Sequence, residues 1–129
     1  MNTNVKRIGN EFEKKLCELF GSKGYWCHNF SYDVNGQPCD IIALKNNSSW
    51  LIDVKHCVGN TFSFSRIEAN QKGCFKYASS VGVGRVGFAI WFETLQEFRW
   101  MSYDLYENFK KQNVKSVKSC CLVRLESLM

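Results

Sequence analysis

Pro38-Cys39-Asp40-Ile41-Ile42-Ala43-Leu44 and, a short turn later, Trp50-Leu51-Ile52-Asp53-Val54-Lys55 read as two strands with charges in unusual places. A carboxylate opens the first apolar run. A second carboxylate and a lysine interrupt the other. Strand alternation sets residues i and i+2 on one face, so Asp53 and Lys55 point one way while Ile52 and Val54 point into a core. Two carboxylates and an amine at the edge of a sheet suit a hard divalent cation and an activated water. That is chemistry fit for phosphodiester cleavage.

Working outward, Ile8, Phe12, Leu16, Leu19 and Phe20 form one stripe at helical spacing. This predicts a helix from about Ile8 to Lys23, with Gly21 and Gly24 as stop signals. Tyr25 to Ser31 reads as a strand, followed by the turn signal Asn35-Gly36. Cys39–Leu44 and Trp50–Lys55 are the next strands, joined through Asn46-Asn47-Ser48-Ser49. An irregular segment, Cys57–Ser65, precedes a helix over Arg66–Ser80 with Gly82 as its cap. Val86–Phe92 and Phe98–Tyr103 read as strands, Asp104 as the cap of a short helix reaching Lys111, and Ser116–Leu125 as a last strand. The order is αβββαββ with appended elements, an α/β protein of the α+β kind whose mixed sheet carries helices.

With 129 residues the chain is expected to form one domain spanning 1–129, long enough to bury a core without staples. No segment approaches a membrane span, and the N-terminus lacks the apolar run of a signal peptide. A cytoplasmic location is expected (the host cytoplasm if the gene is viral). The seven cysteines are an odd number without a CxxC pair, which predicts free, mostly buried thiols. Cys27-His28 and His56-Cys57 are a poor zinc set, because alternation separates the members of each pair. The net charge of +5 permits a nucleic-acid partner, but a solvated basic surface explains it equally well.

Glu13 is an anomaly in the first helix. Glu11, Lys14, Lys15 and Glu18 share a polar face, whereas Leu16, Cys17 and Phe20 follow Glu13 on its own side. A carboxylate beside an apolar stripe is costly unless something pairs with it. Taken alone, Glu13 is most simply a stripe-edge residue reaching water. Beside Asp40 and Asp53, a third acid aimed at the sheet is the better account. Asp40 after Pro38 also suits a turn, and Lys55 suits an edge strand. Asp53, mid-strand among β-formers, fits neither explanation. Asp40 and Asp53 would hold Mg²⁺, with the Val54 carbonyl as a further ligand and Glu13 acting through water or at a second ion. Lys55 would orient the attacking hydroxide.

Pro38-Cys39-Asp40 with Asp53-Val54-Lys55 resembles the PD-(D/E)xK signature of the restriction-endonuclease-like nucleases, whose core order is αβββαβ. Within that superfamily the chain is most similar to Holliday-junction resolvases of the Hjc and RecU types. Those proteins open with a basic segment and a glycine, with an acid four residues beyond, and Lys6-Arg7-Ile8-Gly9 leads to Glu13 in the same way. Lys23-Gly24-Tyr25 is also Hjc-like, and Phe62-Ser63-Phe64 leading to Asn70-Gln71 is RecU-like. Asp53 stands where many relatives carry glutamate, and the signature permits either.

The resemblance implies a Mg²⁺-dependent endonuclease, with Mn²⁺ as a substitute, that nicks four-way DNA junctions in pairs as a homodimer. It implies Glu13, Asp40, Asp53 and Lys55 as catalytic residues with Gln71 assisting. DNA phosphates would meet Lys6, Arg7, Arg66, Lys72 and Lys76. For Lys110, Lys111, Lys115 and Lys118 an ordinary solvated surface is the simpler account. Trp91, Phe98 and Trp100 are interface candidates, although strand aromatics more often fill a core. Another nuclease of the superfamily, or a DNA-binding module that has lost catalysis, are the alternatives.

Overall fold

A computed structural model describes the backbone of residues 3–30, 39–67 and 69–129 and the side chains of 11–30, 39–67 and 73–129. The elements run α1 (Thr3–Ser22), β1 (Trp26–Asn29), β2 (Ile41–Lys45), β3 (Ser48–Cys57), β4 (Thr61–Ser63), α2 (Ala69–Ser80), β5 (Arg85–Phe92), β6 (Glu97–Ser102), α3 (Tyr103–Lys111), β7 (Ser116–Lys118) and β8 (Val123–Arg124). Short 3₁₀ turns occupy Phe64–Arg66, Ser119–Cys121 and Leu125–Leu128.

Six strands form the main sheet in the order β1-β2-β3-β5-β6-β8, and β4 pairs with β7 in a second, two-stranded sheet. Among the described strands only β3 and β5 run parallel, with α2 in the crossover between them. The remaining neighbours of the main sheet are antiparallel. This is the mixed α+β architecture expected from the sequence.

Alternation divides the side chains between two cores. Trp50 and Ile52 of β3, Trp91 of β5 and Trp100 of β6 face Phe12, Leu16 and Phe20 of α1. Phe88, Ile90 and Phe92 of β5 face the other way, with Phe75 of α2 and Tyr103 and Tyr106 of α3. Burying both faces of β5 accounts for its run of apolar residues. Gly87 lies where β5 meets β6. A Cβ there would stand 2.4 Å from the Met101 carbonyl oxygen, so only glycine fits.

Four expectations require correction. The thiols are free but not mostly buried: of the seven cysteines, Cys39 and Cys57 are buried, and Cys120 and Cys121 are exposed. Ser102, rather than Asp104, caps α3: its hydroxyl accepts from the Leu105 amide at 3.1 Å, leaving Asp104 in the first turn. The anticipated Ser116–Leu125 strand is interrupted by the turn at Ser119–Cys121, because β7 belongs to the second sheet and β8 to the first. The segment after Cys57 contains β4, whose three residues gain their partner only from β7, far along the chain. Trp91, Phe98 and Trp100 are core residues. Among the described residues, no helix is long and apolar enough to cross a membrane.

Candidate active site

The candidate site lies at the start of β2, where β3 continues past its neighbour. Backbone pairing extends to the Asp40 amide, which donates to the Ile52 carbonyl at 3.0 Å. The β2 backbone then departs, and the Asp40 side chain takes over: its Oδ2 accepts the Val54 amide at 2.8 Å. In a strand, the N–H and C=O of one residue point to the same side. The Val54 carbonyl therefore faces the Asp40 side of β3, as a ligand role requires.

Asp53 and Lys55 alternate with Ile52 and Val54, which pack against the α1 layer. They accordingly project together to the α2/α3 side, away from Ile52 and Val54. Lys55 Nζ stands 3.2 Å from Asp53 Oδ2, with the two side chains only 13% and 1% exposed. Asp40, at 8%, is buried beside them. Burial first, then a hydrogen bond and like charge from Asp40, push the Asp53 carboxyl well above the ordinary carboxylate range; Lys55 opposes the shift.

Glu13 approaches from the other layer. Phe12 stacks on His56 with ring centroids 4.5 Å apart, which sets the α1 turn carrying Glu13 against the end of β3. The Glu13 carboxylate is partly buried and its Oε2 is covered, whereas Glu11, Lys14, Lys15 and Glu18 are exposed, in keeping with the helix-face argument. Among the described residues no three His, Cys, Asp or Glu side chains converge to hold a metal. Glu13 thus does not join Asp40 and Asp53 in a three-ligand cluster, and the zinc set proves remote, since β2 separates β1 from β3.

The donors fit a hard cation. Two buried carboxylates and a backbone carbonyl are all-oxygen ligands, and magnesium is commonly held by one or two carboxylates while keeping its waters. A divalent cation would also relieve the repulsion that raises Asp53.

Arg66 is exposed and donates to the His56 carbonyl, one residue beyond Lys55. Lys76 is exposed on α2. The side chains of Lys6, Arg7, Gln71 and Lys72 lie outside the described residues, as does Pro38. His56 has a bracing role that the sequence reading missed. Its Nε2 lies 2.7 Å from Glu93 Oε1 while its ring carries Phe12. The signal was its position directly after Lys55.

The chain has the restriction-endonuclease-like fold. It is similar to Hjc of Archaeoglobus fulgidus, a Holliday junction resolvase, with TM-score 0.63 and 17% identity over 93% of each chain. It is also similar to D212, a nuclease from a fusselovirus, with TM-score 0.55 and 14% identity, covering 99% of this chain and 90% of that one. A UPF0102 protein of Fusobacterium nucleatum subsp. nucleatum is 34% identical over 61 residues, 47% of this chain and 51% of that protein. The chain therefore spans about half the length of the curated relative it matches. No protein-family model matches it.

Proposed function

We propose that this chain is a Mg²⁺-dependent endonuclease that resolves four-way DNA junctions by paired nicks, with Mn²⁺ able to replace Mg²⁺. The observation that carries the reading is the buried Asp40–Asp53 pair with Lys55 at the fork of β2 and β3. Asp40, Asp53 and the Val54 carbonyl would hold the ion, and Glu13 would act through water. Bound Mg²⁺ supplies an acidified water and neutralises charge at the phosphate.

Lys55 orients the attacking water and offers its ammonium to the phosphoryl oxygens as negative charge gathers there. Water adds to phosphorus as one P–O ester bond breaks. Arg66, with Lys6, Arg7, Lys72 and Lys76, would bind backbone phosphates, and Gln71 would assist at the site. A two-fold dimer suits symmetric incisions on opposing strands. The nuclease would act in the cytoplasm.

The test is cleavage of a labelled four-way junction, a linear duplex and a single strand in Mg²⁺. Paired symmetric nicks confined to the junction are expected. Preferential cutting of another DNA would keep the nuclease and remove the resolvase. Binding that survives EDTA, with no cleavage under any metal, would reduce the chain to a DNA-binding module.

A further inference from the structure

The strand that follows the catalytic motif builds a second polar feature on the same side of the sheet. β4 pairs with β7 through Thr61↔Lys118, Phe62↔Val117 and Ser63↔Ser116. Hydrogen bonds extend the pairing at both ends, from the Phe64 amide to the Lys115 carbonyl at 3.0 Å and from the Ser119 amide to the Asn60 carbonyl at 2.8 Å. Phe62 and Val117 are buried in the α2/α3-side core, the side to which Asp53 and Lys55 project. Thr61, Ser63, Ser116 and Lys118 are left facing solvent, and none is acidic.

Beside this ribbon lies a hollow of about 300 Å³ whose polar rim is formed by Ser63, Ser65, Lys110 and Lys115. Its floor is Phe64 and Tyr106, buried in edge-to-face contact at 5.3 Å, with Val114 alongside. The two serine hydroxyls stand 2.9 Å apart, and Lys110 Nζ lies 5.5 Å from the Tyr106 ring centroid. Among the described residues no aspartate or glutamate lines the hollow. Two ammonium groups, two hydroxyls and no acid select for an anion, while the apolar wall accepts a sugar face. The aromatic rings are too buried to stack on a base.

Arg66, one residue beyond Ser65, reaches back to the His56 carbonyl beside Lys55. A single segment thus joins the rim to the catalytic strand. We propose that the hollow is a subsite for a backbone phosphodiester of the DNA substrate, held by Lys110 and Lys115 with the Ser63 and Ser65 hydroxyls. The inference rests on the nuclease reading and extends it. It makes two lysines of the C-terminal group part of a track leading from the scissile phosphate.

The experiment measures binding of a fluorescent four-way junction and a duplex by anisotropy in EDTA, with Asp53→Asn as the parent. Adding Lys110→Ala and Lys115→Ala is expected to weaken binding about 10-fold and to reduce the slope of log K against log salt by about 1–2, as loss of one or two phosphate contacts requires. Lys110→Arg with Lys115→Arg should retain most of the affinity, and all variants should keep the parent's Tm. Lys111→Ala, an exposed charge on the same helix that does not line the hollow, should change little. DNA binding with unchanged affinity and slope, or equal losses from Lys111→Ala, overturns the subsite while leaving the nuclease reading intact. Failure of the parent to bind any DNA overturns both.

Discussion

Asp40 Oδ2 accepts the Val54 amide at 2.8 Å, occupying the place where the next strand's carbonyl would stand. One side chain therefore ends a sheet ladder and supplies a carboxylate to the site. These two duties can be separated. Asp40→Asn keeps an oxygen for the amide, so it should abolish cleavage at little cost in stability. Asp40→Ala should abolish cleavage and also cost about 1–3 kcal/mol, the penalty for a buried N–H left unsatisfied. Urea unfolding of both variants distinguishes them. Equal stability would mean that the hydrogen bond contributes nothing to the fold.

Asp53 is costly to the metal-free protein. Burial and Asp40 raise its carboxyl in the folded state, against Lys55. The folded chain therefore binds this proton more tightly than the unfolded chain. The resulting stability is present below the unfolded value of about 4 and is lost as pH rises through the folded one. In EDTA, Asp53→Asn should raise Tm by about 2–6 °C at pH 8 and by much less at pH 4.5. The variant should also lose cleavage and most of the stabilisation that Mg²⁺ gives the parent. A Tm difference independent of pH would contradict this account of Asp53.

Two acids two residues apart on α1 should behave differently. Glu13 is partly buried above the end of β3, whereas Glu11 is exposed. Glu13→Gln should reduce kcat by about 10²-fold or more, the scale of a lost catalytic group. Glu11→Gln should stay within about twofold. Similar losses from both would refute the helix-face assignment.

Gly87→Ala tests the fold away from the site. The added methyl meets the Met101 carbonyl at 2.4 Å and the Ser102 Cα at 2.8 Å, both of them backbone atoms. A loss of about 1–3 kcal/mol is expected from overpacking. Chemical denaturation measures it, and a neutral result would show that β6 can move away from β5.

Cys17 Sγ and Cys27 Sγ lie 2.9 Å apart, between α1 and β1. The hydrogen bond from Cys27 lowers the Cys17 thiol from its ordinary value, against burial, which makes Cys17 the better source of thiolate. Diamide should join the pair with loss of two hydrogen atoms, which peptide mapping under non-reducing conditions detects. Cys17→Ser should prevent that link. Its persistence would mean that the wrong thiols have been paired.

The legible part of this protein was its periodicity. Phe12, Leu16 and Phe20 announced α1, and the Asp53/Lys55 alternation with Ile52 and Val54 placed two charges on one face. The short strand β4 was hidden, because three residues carry little pattern and it exists through its distant partner; β7 fell inside the strand expected over Ser116–Leu125, whose break at Ser119–Cys121 left no mark in the sequence. The α3 cap was not legible in the same way: Asp104 is a cap former by type, but so is Ser102, and only the hydroxyl contact with the Leu105 amide identifies Ser102 as the cap. The Asp40–Val54 bond was equally hidden: the sequence shows a carboxylate before a strand but not the departure of β2 that turns it toward a neighbour's amide.

The four tryptophans are divided unequally. Trp50, Trp91 and Trp100 all lie in the core beneath α1, Trp26 stands 61% exposed on β1, and the core beneath α2 and α3 contains none. Indole emission consequently reports the loosening of one layer, whereas tyrosines stand in both, Tyr25 beneath α1 and Tyr103 and Tyr106 beneath α2 and α3. The protein carries an optical label for one of its halves. Following that emission beside the far-ultraviolet signal of the whole fold through one denaturation shows whether this layer loosens with the rest or in turn.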